Sequence, residues 1–177
     1  LVNRGANVNI EHRKWLTPLC LALIKEYIEI VKFLIASEAD VNKASYDGFR
    51  VRSPLRMEIR NQNTKSNPNS ETVRLLLQAG AKTEWKDEYG ITELMYACRK
   101  SSPEIVQYLL DHGASIFYRT KGNTTVMLSV LSDASEENKI IIRSKVDSLF
   151  VEKTLQAVDN INLRTEPNTG SEKLITL

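Results

Sequence analysis

Apolar positions along this chain come in short runs at helical spacing, each followed by a turn segment such as Ala39-Asp40-Val41-Asn42. Ile30-Val31 with Phe33-Leu34, and Ile105-Val106 with Leu109-Leu110, put apolar side chains on one stripe of a helix. Before each pair stands another short apolar run opened by Thr or Ser: Thr17-Pro18-Leu19, Ser53-Pro54-Leu55, Thr92-Glu93-Leu94 and Thr125-Val126-Met127. A hydroxyl ahead of such a run can accept an orphan backbone N–H, and a proline at the first helical position gives up a donor with no partner anyway. Gly80 and Gly113 follow apolar runs and suit the left-handed residue that ends a helix. The pattern therefore predicts pairs of short helices. In the first unit they lie near 17–26 and 27–37.

The succession keeps a period. Gly5 and Glu38, Gly80 and Gly113, and Thr92 and Thr125 are each 33 residues apart. A single pair of short helices cannot hide its apolar stripe, so repetition at a fixed period implies stacking, with stability shared along the array.

These residues resemble the ankyrin repeat family. Its opening is matched by the four Thr/Ser-led segments above. Its closing is matched by Gly5-Ala6-Asn7-Val8-Asn9, Glu38-Ala39-Asp40-Val41-Asn42, Gly80-Ala81-Lys82-Thr83-Glu84 and Gly113-Ala114-Ser115-Ile116, and more weakly by Val158-Asp159-Asn160-Ile161-Asn162. The resemblance implies an all-α solenoid of stacked helix-turn-helix units joined by β-hairpin-like loops. Residues 1–177 read as one ankyrin-repeat domain cut from a longer array. Residues 1–6 end a preceding repeat, 7–39, 40–81, 82–114 and 115–158 are repeats, and 159–177 begin another.

Two units depart from the pattern. In 40–81, Glu38 and Gly80 are 42 residues apart. The excess falls in the hairpin from Asn42 to Ser53 and in the Asn/Ser/Pro-rich turn 61–69, where a loop is tolerated cheaply. Glu58 there takes a place the family gives to a small residue, and Arg56 or Arg60 is its expected ion partner, since a lone buried carboxylate is costly. In 115–158, residues 133–138 read as a polar loop and 140–156 as a lengthened or doubled second helix. Asn160-Ile161-Asn162 reads as a reopening hairpin with its tip at 165–170.

Composition narrows the function. Hydrophobic residues make up 42% and charged residues 26% of 177, ordinary for a folded domain. No apolar run reaches membrane-spanning length. Cys20 and Cys98 stand alone in different repeats, which makes them core residues and suits an intracellular setting: cytoplasm or nucleus, or a host cell if the source is a pathogen. His12 and His112 stand three repeats apart, so no nucleophile–base grouping or metal-ligand spacing arises. The chain reads as non-catalytic, with no cofactor and no metal.

Charge is uneven. Residues 1–81 carry 12 basic and 8 acidic side chains, and residues 82–177 carry 12 and 14. In the family, hairpin tips and the exposed face of the first helices bind other proteins. Carried onto this chain, the tips offer Arg13, Lys14, Trp15, Phe49, Arg50, Arg52, Tyr89 and Lys121, and the first helices offer Lys25, Arg60, Arg99 and Lys100. Basic and aromatic side chains there imply a protein-interaction scaffold for an acidic surface or peptide, acting as a monomer. A spacer or targeting module within a larger viral, bacterial or eukaryotic protein stays open. Nucleic-acid binding is disfavoured by the near-neutral total charge. The family also implies that Asn42, eight positions after Leu34, resembles a hairpin asparagine open to hydroxylation. Its other reading is a side chain that supports the hairpin by hydrogen bonds.

Overall fold

The computed structural model of the chain describes residues 5–11, 16–46, 51–60, 70–122, 125 and 134–165. Two compact units divide it, residues 1–141 and 142–177.

The first unit is the repeat array. The first repeat holds α1 (Pro18–Ile24) and α2 (Ile28–Ala36), and the second holds α3 (Pro54–Ile59) and α4 (Ser70–Gln78). The third holds α5 (Glu93–Lys100) and α6 (Pro103–Asp111). First helices stack in the order α1–α3–α5 and second helices in the order α2–α4–α6. Between repeats the chain turns back on itself. Strands β1 (Ser45–Tyr46) and β2 (Val51–Arg52) pair antiparallel, Ser45 opposite Arg52, and single bridges join Lys86 to Thr92 and Arg119 to Thr125. This is the all-α solenoid expected, with hairpins as connectors.

The three described first helices begin the same way. The hydroxyls of Thr17, Ser53 and Thr92 accept from the N–H groups of Cys20, Arg56 and Met95, at 3.2, 3.2 and 3.3 Å. The second helices α2, α4 and α6 end the same way too. Ala39 N donates to Leu34 O, Ala81 N to Leu76 O and Ala114 N to Leu109 O, with the residue before each alanine in left-handed conformation. That paired wrap satisfies the last carbonyls of the helix. Glycine fits the left-handed site at 80 and 113, whereas at 38 a glutamate holds φ 62°.

The core is the row of inward residues these ends align: Leu19, Leu55 and Leu94 from first helices, and Val31, Val73 and Val106 from second helices, all buried. Cys20 and Cys98 lie in it as free thiols, and burial pushes the Cys98 thiol up to about 12. Burial depends on the neighbour. Ile30 is 48% exposed, whereas Ile105, at the same place two repeats on, is 0% exposed where α6 packs on α4.

The long terminal helix α7 covers Glu136–Thr165. The sequence suggested a loop over 133–138, a helix ending at 156 and a hairpin from Asn160. The helix instead starts at Glu136, with Ser135 Oγ accepting from Asn138 N, and continues without a break to Thr165. No Gly or Pro occurs between Ala134 and Thr165, so nothing stops propagation before Pro167. The Asn160-Ile161-Asn162 segment is helical, its resemblance to a hairpin closing overridden by that continuity. Inside the first unit, Asn138 Nδ2 donates to the carbonyls of Cys98 (3.1 Å) and Ser101 (3.0 Å), which ties the start of α7 to the end of α5.

Candidate cleft between the third and fourth tips

The hairpin of the third repeat is built around one carboxylate. Asp87 Oδ1 accepts from Tyr89 N at 3.0 Å and Ile91 N at 2.9 Å, and its Oδ2 from the Tyr96 hydroxyl at 3.3 Å. A short Asx-type loop results, and its turn needs Gly90 at φ 79°. A Cβ on Gly90 would meet the Thr120 Cα at 3.1 Å and the Lys121 N at 3.3 Å. The third tip therefore packs backbone to backbone on the fourth, and Lys121 N donates to Tyr89 O at 2.9 Å.

A cleft of about 340 Å3 opens beside this contact, lined by Tyr89, Ile91, Met95, Tyr96, Arg99, Thr120, Lys121 and Gly122. Two tips supply one wall and α5 supplies the other. The lining includes two cations and no anion. Tyr96 also carries the Arg60 guanidinium over its ring, 4.4 Å from the centroid.

Beneath the cleft lies a buried ionic cluster. Arg56 (1% exposed) has its Nε 3.4 Å from Glu93 Oε1 and its Nη1 3.8 Å from Asp87 Oδ2, and its Nη2 donates to Ile91 O at 2.5 Å. Glu93 is 0% exposed, and Ser53 Oγ donates to it at 3.5 Å. One cation thus faces two carboxylates. Burial pushes the Glu93 carboxyl up to about 7, against the pull of Arg56. With Glu93 protonated, Arg56 and Asp87 form a neutral pair.

Of the residues singled out from sequence, Tyr89, Arg99 and Lys121 come together in the cleft and Arg60 stands beside it. Arg60 and Arg99 hold the same place in consecutive first helices, seven residues after Ser53 and Thr92. Lys25 and Lys100 are exposed at the ends of α1 and α5, where a cation also suits the helix dipole, and Arg52 is half-buried in β2; none of the three lines the cleft. Arg13, Lys14, Trp15, Phe49 and Arg50, together with the 61–69 turn, lie outside the described residues. Asn42 joins two repeats: its Oδ1 accepts from Lys82 N at 2.8 Å and its Nδ2 donates to Gly80 O at 3.0 Å. Asn9 Oδ1 accepts from Asp40 N at 2.8 Å in the same way one repeat earlier.

The sequence pattern predicts Arg56 or Arg60 as the ion partner of Glu58. Arg56 in fact takes Glu93 and Asp87 of the following repeat as acidic partners, because stacking brings the next hairpin and helix start over α3. Glu58 is itself buried. The signal for this cluster was present in the chain: Glu93 stands where Pro18 and Pro54 stand in the other repeats, an acidic residue at an otherwise buried helix start.

Among the described residues, no group of His, Cys, Asp and Glu is placed to hold a metal, and no helix is long and apolar enough to cross a membrane.

Residues 14–46 match the ankyrin repeat family, and residues 62–148 match it as three consecutive copies. The chain belongs to the ankyrin repeat family. Among its relatives is an ankyrin repeat, SAM and basic leucine zipper domain-containing protein 1 of Ovis aries, 34% identical over 130 residues, or 72% of this chain and 24% of that protein. A putative ankyrin repeat protein of Rickettsia bellii is 26% identical over 77% of this chain and 40% of its own length. The human ankyrin repeat and SOCS box protein 6 is 28% identical over 74% of this chain and 31% of its own length. The chain thus spans about a quarter to two fifths of the length of these relatives. Ankyrin repeats are in general protein-interaction modules without catalytic activity of their own.

Proposed function

We propose that this ankyrin array is a non-catalytic module that binds an acidic segment of another protein on the face made by its hairpin tips and first helices. The cleft carries the reading. It gathers Tyr89, Arg99 and Lys121 from three different segments, with no acidic residue among its lining. Arg60, Lys25 and Lys100 extend the same sign of charge along the ends of the first helices. Such a field captures an anionic segment quickly, and tyrosine and arginine are frequent anchors of protein contacts. Asp87 does not oppose it, since its oxygens are held by two backbone N–H groups, the Tyr96 hydroxyl and Arg56.

A fluorescein-labelled oligoglutamate decapeptide and its oligoglutamine counterpart, titrated with the chain and followed by anisotropy, test this. Binding of the glutamate peptide alone is expected, weakening as salt rises and weakening again in the Arg60→Glu/Lys121→Glu variant. Equal affinity for the two peptides, or a variant that binds as the native chain does, would refute the assignment.

A further inference from the structure

We infer that the cleft between the third and fourth tips is a side-chain socket for one aromatic or large aliphatic residue of an extended peptide, with acidic residues on both sides of it. This rests on the binding face proposed above and adds what occupies its centre.

The walls argue for an apolar occupant. Ile91, Met95 and the rings of Tyr89 and Tyr96 supply most of the lining, and methionine adapts its shape to an inserted side chain. The volume of about 340 Å3 is at the small end of ligand cavities, enough for one large side chain and its flanking backbone. Arg99 on the helix wall and Lys121 on the tip wall supply the charges that acidic neighbours of that side chain would meet. Acids without an apolar centre would leave the floor empty.

The socket is also held open in advance. Asp87 fixes the third tip through two backbone N–H groups and the Tyr96 hydroxyl, so one carboxylate sets both the tip and a wall. Gly90 brings the third tip against the fourth, and the bond from Lys121 N to Tyr89 O locks them. A cavity with fixed walls spends little binding energy on ordering itself.

Three labelled peptides separate the possibilities: Glu-Glu-Glu-Phe-Glu-Glu-Glu, the same with Gly at the centre, and the same with Lys in place of every Glu. The full chain, labelled with 13C at its methionine methyls, is titrated with each, and Met95→Leu assigns the Met95 signal. The Phe-centred acidic peptide is expected to bind about tenfold more tightly than the Gly-centred one and to shift the Met95 methyl resonance. Tyr89→Ala, at a half-exposed site that leaves the helical circular dichroism unchanged, is expected to erase that tenfold difference. Equal binding of the Phe and Gly peptides, or a Met95 signal that does not move, overturns the socket while leaving the acidic-partner reading intact. Equal binding of the Lys peptide overturns the demand for flanking acids. No binding of either acidic peptide sinks both readings together.

Discussion

The junction of the first and second repeats and the junction of the second and third use the same two positions for opposite chemistry. At the earlier one, the buried Cys20 of the first helix is matched by a buried Ser45 of the next hairpin, and Thr17 N donates to Ser45 Oγ at 3.3 Å. At the later one, Arg56 fills the place of Cys20 and Asp87 fills the place of Ser45, three residues after Glu84 as Ser45 is three after Asn42. Glu93 then replaces the proline that begins α1 and α3. The backbone is alike at both, with the same hydroxyl cap and the same wrapped helix ends. The stack thus accepts either a small neutral pair or a buried cation with two carboxylates. Repeat geometry comes from caps and packing, and the side chains between repeats are free to set the local electrostatics. Here the charged junction lies beneath the cleft, and Asp87 belongs to both.

Removing one partner from each junction breaks the symmetry most strongly. Arg56→Ala leaves Asp87 and Glu93 without their cation and is expected to cost about 3–5 kcal/mol. Cys20→Ala deletes only a small buried group and is expected to cost about 1 kcal/mol. Urea denaturation midpoints read both, and equal losses would show that the charged cluster plays no special part.

Between pH 5 and 8 the charged junction also makes stability depend on pH. Glu93 titrates near 7 in the folded chain, against an ordinary value of 4.5. Between those values the folded chain keeps a proton that the unfolded chain has released. The contribution is therefore complete below pH 4.5 and is lost as pH rises through 7. It amounts to roughly 3 kcal/mol. Denaturation at pH 5 and pH 8 should show the loss, and Glu93→Gln should flatten it by stabilising the chain at pH 8. A loss of the same size in Glu93→Gln would put its source elsewhere.

The bridging asparagines offer a smaller comparison. Asn42→Ala removes two bonds, one to Gly80 at the close of its own repeat and one to Lys82 of the third, and Asn9→Ala removes one to the second, so losses of about 1–2 and about 1 kcal/mol are expected. Thermal melts of the two variants would order them. A neutral Asn42→Ala would show that this side chain does not hold the repeats together.

The smallest effect is a gain. Glu38 occupies the left-handed site that glycine fills at 80 and 113, so Glu38→Gly should stabilise the chain by about 0.5–1 kcal/mol. The same melts would register it as a rise in midpoint, and a fall would mean that the glutamate side chain supports its own turn.

Much of the fold could be read from local signals because the repeat is a local device. The hydroxyl caps at Thr17, Ser53 and Thr92, the left-handed residues at 38, 80 and 113 and the paired apolar positions each act within a few residues of themselves. The cleft was legible in part. Tyr89, Arg99 and Lys121 could be named from their places in the repeat, but nothing local marks Ile91, Met95 and Tyr96 as lining a cleft. Only the packing of one tip on the next makes them a floor. The partner of Arg56 was missed for a related reason: Glu58 is two residues away in sequence, whereas Glu93 is 37 away and meets it through stacking.

The sequence by itself determined the period, the helix starts and stops, and the family, since caps, turns and apolar spacing are interactions of near neighbours. The tertiary structure alone decided which carboxylates face Arg56, how far α7 runs, and that Asp87 both shapes the tip and joins the buried cluster. Those outcomes depend on distances between segments 30 or more residues apart, and on continuity over a stretch where no residue is a breaker. A one-dimensional pattern records neither.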